Sequence, residues 1–182
     1  MPEHSSHGTD LAVPLTATDH VLGPGHAPVV VVEYGDFQCP TCKQAAPTVR
    51  LLLERFANRV CVAFRHFPLE EAHPQALAAA EAAESAGEQG KFWEMHDLMF
   101  ANQDRLTPQH LRGLAGRLGL DLAAFTAEMD DHVYLQRVRE HQEGGRRSHV
   151  RGTPGFFVNG RIVDVSFGLE RLFDAVGAAQ HR

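Results

Sequence analysis

Cysteine is scarce in this chain, with three among 182 residues. A count so low and odd excludes a disulfide-stapled scaffold and points any cysteine pair toward redox chemistry or metal binding. Long apolar runs are missing too. The longest, Val60 to Phe64 and Ala76 to Ala80, are five residues each, against the roughly 20 that a membrane-spanning helix needs. There is no excess of positive charge: 17 Lys and Arg stand against 23 Asp and Glu, a net −6, so no basic field invites nucleic acid or anionic lipid. From Met1 to Asp10 there is no Lys or Arg, and the nearest apolar stretch is only Leu11 to Val13. That lacks both the charged start and the apolar middle of a signal peptide, so the cytoplasm is the expected location, with the periplasm or cell exterior as the alternative for the mature part of an exported precursor.

What is present reads as one globular unit. Apolar residues make up 43% and charged residues 22%, the balance of a chain with a proper core. The length is about 1.2 times the ~150 residues used as a prior for one domain, which suggests a domain carrying an insertion. Val29-Val30-Val31-Val32-Glu33-Tyr34 has the β-branched pattern of a strand buried on both faces. A helical stripe follows in Ala46, Val49, Leu53 and Phe56, with Pro47 expected to kink its helix. Val60 to Phe64 is a second buried strand, so the first seventy residues form a βαβ unit.

From about Gln75 to Gly144 no strand pattern appears. Ala-rich 76–86 stops at Gly87 and Gly90, and Phe92, Met95 and Met99 stripe the next helix. Thr107-Pro108 is an N-cap with proline at N1, and Asp121 marks another helix start. Extended structure returns at Phe156-Phe157-Val158, where Asn159-Gly160 suits the two positive φ angles of a type I′ hairpin turn. Leu169, Leu172, Phe173 and Val176 stripe a last helix, with Ser166 or a neighbour as its cap. The expected organisation is a flexible tail at 1–14, a sheet domain from 15–74 and 145–182, and a helical insertion at 75–144.

Cys39-Pro40-Thr41-Cys42 falls where a buried strand has ended and a helix begins. A helix N-terminus offers unpaired N–H groups and partial positive charge, which stabilise a thiolate on the first cysteine. The second lies one turn on, so Cys39 is the attacking thiol and Cys42 the resolving one. A structural zinc site also uses Cys-x2-Cys but needs four ligands, and neither a second cysteine pair nor a His-x3–5-His element appears downstream. An incidental buried pair is the remaining alternative, and the βαβ context favours redox.

The chain resembles the DsbA-like branch of the thioredoxin superfamily over roughly Asp19 to Ala179. The resemblance is carried by Asp36-Phe37-Gln38-Cys39-Pro40-Thr41-Cys42, Arg65-His66-Phe67-Pro68-Leu69, Gly90-Lys91-Phe92-Trp93-Glu94-Met95-His96, and Gly152 to Gly160 with Thr153-Pro154 at its centre. It implies an α/β thioredoxin-like fold, a mixed central sheet flanked by helices, with a helical insertion. It also implies that Thr153-Pro154 is a cis-proline loop which, with Pro40 and Thr41, faces a bound peptide, and that Glu33 is a buried acid exchanging the Cys42 proton with water. Pairing of Glu33 with a Lys or Arg at the strand edge is the structural alternative. Thr41 departs from the His, Tyr or Ser common at its position, and Gly155 replaces a larger residue, which is expected to loosen the loop or widen the groove.

Outside these motifs, Cys61 reads as a small core hydrophobe, Trp93 as insertion core, and the twelve histidines as mostly surface residues, with His66 structural. Only His4 and His7 lie within four positions of each other. The expected activity is thiol–disulfide exchange with protein or peptide thiols and an unidentified redox partner, needing neither organic cofactor nor metal. A small-thiol enzyme of the same fold and a non-catalytic peptide-binding or chaperone module are the alternatives.

Overall fold

The computed structural model describes residues 9–181, which leaves the His4 and His7 reading outside the described residues. Five strands form one sheet: β1 (His20–Leu22), β2 (Val29–Gly35), β3 (Val60–His66), β4 (Gly155–Val158) and β5 (Arg161–Val163), in the order β1-β3-β2-β4-β5. Only β2 and β3 run parallel, paired from Val29 with Val60 to Gly35 with His66. A parallel pair needs a crossover, and α1 (Pro40–Arg55) supplies it. This mixed sheet with flanking helices is a thioredoxin-like fold.

The face that α1 buries comprises Cys42, Ala45, Val49 and Leu52, one position off the expected stripe. Ala46, Leu53 and Phe56 flank it half-buried, and Pro47 lies inside the helix on its solvent side. The second cysteine thus begins the helix's core face. Full burial of side chains such as Val49 and Leu52 contributes roughly 1.5–3 kcal/mol each.

Five helices follow β3: α2 (Ala76–Glu88), α3 (Phe92–Ala101), α4 (Pro108–Arg117), α5 (Leu122–Asp130) and α6 (Leu135–Arg147). Thr107 caps α4 by accepting from His110 N, and Asp121 caps α5 by accepting from Ala124 N. Their core joins Phe92, Met95, Met99, Leu111 and Phe125 to Phe37, Phe64 and both cysteines of the motif. The helix α6 returns to the sheet through Gly144 and Gly145. A Cβ on Gly145 would meet the Phe67 ring at 2.7 Å, and one on Gly144 would stand 3.3 Å from the Tyr34 hydroxyl.

The hairpin β4–β5 turns on Asn159 (φ 46°) and Gly160 (φ 78°), the two positive angles its sequence asks for. The last helix, α7 (Glu170–Ala179), starts after Leu169 without a side-chain cap; Ser166 instead donates its N–H to Asp164 Oδ1. The strand β1 is too short for a readable alternation and is held by antiparallel pairing with β3. One other expectation changes. Residues 9–14, expected in a loose tail, are tied down: Leu11 is buried with its N–H on Gly160 O, Ala12 N–H bonds Ser148 Oγ, and Asp10 Oδ2 accepts from Ile162 N.

Candidate active site

At the end of β2 the chain turns through Asp36, and the buried Asp36 carboxylate organises the turn. Its Oδ1 accepts from Gln38 N at 2.7 Å, and its Oδ2 from Leu69 N and His73 Nδ1, both at 2.8 Å. Gln38 Oε1 accepts from Gln75 N. From between α3 and α4, the Gln103 amide donates to Phe37 O at 2.9 Å and to Cys39 O at 2.8 Å. The loop ahead of the cysteines is therefore pinned by the segment after β3 and by the helical insertion. Asp36 was legible only as part of a motif; His73 and Gln103 carry no local sequence signal, because each acts on residues far away in the chain.

Cys39 is the N-cap of α1, with Pro40 at the first helical position. Its Sγ lies 3.0 Å from Thr41 Oγ1 and 3.4 Å from Thr153 O, and Thr41 Oγ1 lies 3.0 Å from Thr153 O. Hydrogen bonding by the Cys42 thiol, then by Thr153 and Thr41, overcomes burial and brings the Cys39 pKa down to about 4. Burial has the opposite outcome one turn further on. The Cys42 thiol is pushed far up by desolvation, with Cys39 and Glu33 adding to the rise. The pair is thus chemically unequal: one sulfur is a thiolate at neutral pH and the other a thiol. All three cysteines are free.

Glu33 is buried beneath this pair, and desolvation, then the Cys39 charge, raises its pKa to about 8. Among the described residues no cation pairs with it, so the strand-edge ion pair is not what they provide. The Thr153–Pro154 bond is cis, and the loop presents Thr153 O to the sulfur. Cys39, Cys42, Thr41, Thr153 and Pro154 thus meet at one place, with Pro40 exposed beside them. Gly155 does not leave a gap: Val150 Cγ1 and Cγ2 stand 3.3 and 3.4 Å from where its Cβ would be. Beside the loop opens a cleft of about 200 Å³ lined by Val150, Arg151, Pro154, Phe156, Ile162 and Val165.

Cys61 is buried within β3, where desolvation raises its pKa. His66 is buried, in keeping with its structural reading, and His96 is a buried exception to the surface reading of the other histidines; both pack against Phe37 and Phe64. Among the described residues, His66, Glu84 and His141 bring one ligand atom each within 4.8 Å of one another. That carboxylate already accepts from His20 and His66, with Arg137 Nε 3.0 Å away, and His141 Nδ1 accepts from His66 N. A divalent cation would displace these bonds and face a guanidinium, so the group is built as a polar network.

A thioredoxin family model matches residues 15–177. Among curated proteins, one named Na(+)/H(+) antiporter NhaA 1, from Salinispora arenicola, is 52% identical over 171 residues, covering 93% of this chain and 26% of that protein. The chain thus spans about a quarter of the length of the curated relative it matches. Among solved structures, oxidised BdbD from Bacillus subtilis is similar with a TM-score of 0.81 at 22% identity, covering 90% of this chain and 94% of that one. A thioredoxin-like oxidoreductase from Silicibacter pomeroyi reaches a TM-score of 0.81 at 25% identity, over 92% and 95% of the two chains.

Proposed function

Because the chain belongs to the thioredoxin family and sets one stabilised thiolate beside one buried thiol, we propose that it is a DsbA-like thiol–disulfide oxidoreductase acting on protein thiols. The observation that carries this reading is the opposed ionisation of Cys39 and Cys42 at the start of one helix. Starting from the Cys39–Cys42 disulfide, a substrate thiolate attacks Cys39 Sγ and the S–S bond breaks. Cys42 leaves with the electron pair and takes a proton, which Glu33, protonated below about pH 8, can supply. A second substrate thiolate then attacks the substrate's own sulfur in the mixed disulfide, and Cys39 leaves as the stabilised thiolate. The substrate is oxidised by two electrons and the protein reduced by two. The electrons reside in the sulfur pair, so the reading requires no organic cofactor or metal.

A low-pKa Cys39 favours the dithiol form and makes the disulfide a better oxidant, by about 30 mV for each 1.4 kcal/mol. In the cytoplasm such a centre would be held reduced and act as a reductant or sensor; in an oxidising compartment it would hand on its disulfide. Thiol trapping with mass spectrometry across a glutathione redox series decides between these. Wild type is expected to show a reversible Cys39–Cys42 disulfide with an oxidising midpoint, and Cys39→Ser none. Absence of a reversible disulfide in wild type sinks the reading. Cys42→Ala is expected to accumulate mixed disulfides that identify protein partners, while glutathione adducts alone would favour the small-thiol enzyme.

The likeness to a protein named as an antiporter supports a second reading of setting: a redox domain that acts on a cation antiporter. Antiport by such a relative in membrane vesicles should then respond to oxidants, and lose that response when the cysteine matching Cys39 is replaced. Equal antiport in both redox states would rule this setting out.

A further inference from the structure

Thr41 has one hydroxyl proton and two acceptors within reach. Its Oγ1 is 3.0 Å from Cys39 Sγ and 3.0 Å from Thr153 O, and it can donate to only one of them at a time. Among the described residues, Thr41 Oγ1 and Cys39 Sγ are the only donors to Thr153 O. We propose that the Thr41 hydroxyl is a one-proton switch that couples the state of the Cys39 sulfur to the Thr153 carbonyl, the acceptor for a backbone N–H of an extended polypeptide substrate. The proposal rests on the exchange reading for its use in turnover, but the switch itself is a property of the reduced protein.

The charge on sulfur sets the position of the switch. A thiolate is the stronger acceptor, because hydrogen bonds to ionised groups are roughly twice as strong as neutral ones. With Cys39 ionised, Thr41 therefore turns to sulfur, the S–H donor is gone, and both acceptor positions of Thr153 O stand open. With the sulfur protonated, Thr41 and the S–H both point at Thr153 O and fill it. With the sulfur in a disulfide there is no S–H, and Thr41 alone returns to the carbonyl, leaving one position for substrate. In the release step the same proton swings onto Cys39 as the sulfur leaves with its electron pair. Thr41 thereby stabilises the developing thiolate without being lost to the ground state, where it is used elsewhere. A hydroxyl does this and an aliphatic side chain of the same shape does not. Thr41 is exposed at the first turn of α1, so replacing it removes the switch without opening a cavity.

A double-mutant cycle tests this at pH 7 under reducing conditions. The probes are the Thr153 carbonyl ¹³C resonance and the affinity of an unfolded, cysteine-free peptide measured by fluorescence anisotropy. In wild type, where Thr41 faces the thiolate, Thr41→Val is expected to leave the Thr153 carbonyl and peptide affinity unchanged. In the same variant, the Cys39 pKa, read from thiolate absorbance, should rise by about one unit. In Cys39→Ala, where Thr41 has only the carbonyl to serve, adding Thr41→Val should shift the carbonyl resonance and tighten peptide binding about two- to tenfold. Thr41→Ser should behave as wild type in every arm. Equal effects of Thr41→Val in both backgrounds, or no change in the Cys39 pKa, would overturn the switch. So would a carbonyl resonance that ignores Thr41 when sulfur is absent. No disulfide forms in any arm, so failure of the switch and failure of the exchange reading, scored by thiol trapping, are separate results.

Discussion

Two glutamates, Glu33 on β2 and Glu84 on α2, are both buried, and their environments drive them in opposite directions. Glu33 has only desolvation and the Cys39 charge around it, and its pKa rises to about 8. At Glu84, burial works against the charge, but hydrogen bonds from His20 and His66 overcome it and hold the carboxyl far below the usual range. Arg137 adds an ion-pair contact at 3.0 Å. Burial alone does not decide whether a carboxylate is charged; the donors that burial brings with it do. Glu84 collects β1, β3 and α6 onto α2, so it clasps the insertion to the sheet. Glu33 has no ion-pair partner among the described residues, and it lies close enough to Cys39 for that charge to raise its pKa. One acid is held charged by the groups it joins, and the other is held neutral up to about pH 8.

The largest expected effect lies on the Glu84 side. Glu84→Ala leaves His20, His66 and Arg137 without their common acceptor inside the fold, which should cost about 3–5 kcal/mol, read from urea denaturation at pH 7. A loss below 1 kcal/mol would mean that the clasp is not structural. The pH dependence follows from the lowered folded-state pKa. The stabilisation is complete above the unfolded-state value of 4.5 and is lost as acid protonates the carboxylate. His141 adds to acid sensitivity: burial, helped by the charges of His66 and Arg137, takes its pKa down to about 3. The unfolded chain therefore binds a proton between pH 6.5 and 3 that the folded one refuses. Glu84→Ala should lose the carboxylate's share of the acid limb and retain the histidine's.

Glu33 should behave in the opposite sense. Its folded-state pKa is raised from 4.5 to about 8, so the unfolded chain releases this proton first and stability falls as pH rises between the two values. The slope is at most about 1.4 kcal/mol per pH unit. Glu33→Leu, which has no proton to lose, should therefore gain on wild type over pH 5 to 8 by a total of a few kcal/mol. A difference that stays flat with pH would show that Glu33 has a partner after all. Glu33→Gln should slow resolution of a mixed disulfide by Cys42 by about 10²-fold, the lower end for a lost acid–base group, and remove the inflection near pH 8 from its rate profile. A rate that falls with that inflection still present would make the role purely structural.

The same contrast explains what could be read from the residues alone. The strand of Val29 to Tyr34, the helix opened by Cys39-Pro40 and the turn at Asn159-Gly160 are local patterns, and each formed where its pattern stood. Cys39 and Thr153, 114 residues apart, could be joined only through the family resemblance, because spacing says nothing about which loop lies over a helix end. The partners of Glu84 were beyond reach for a related reason. His20 is 64 positions away, in a three-residue strand that exists by virtue of pairing with β3. The two readings of Glu33 could not be separated in sequence either, since the answer depends on whether any cation faces it across the sheet. His96 of α3 looked like a surface residue because its aromatic surroundings, Phe37 and Phe64, arrive from other elements.

The smallest expected effect separates the architectural and chemical roles within the insertion itself. Gln103 and Thr107 are close in sequence, and each satisfies backbone groups: Gln103 those of Phe37 and Cys39, Thr107 that of His110. Thr107→Ala should cost about 1 kcal/mol as a lost helix cap, and Gln103→Ala about as much for its exchanged hydrogen bonds. In stability the two variants should be hard to tell apart. Only Gln103→Ala frees the Cys39 carbonyl and the loop that aims the sulfur at Thr41 and Thr153, so only it should raise the Cys39 pKa above about 4, measured by thiolate absorbance. If both variants leave that titration where it is, the insertion holds the site in place through Phe37 and its aromatic neighbours, and the Gln103 bridge contributes stability alone.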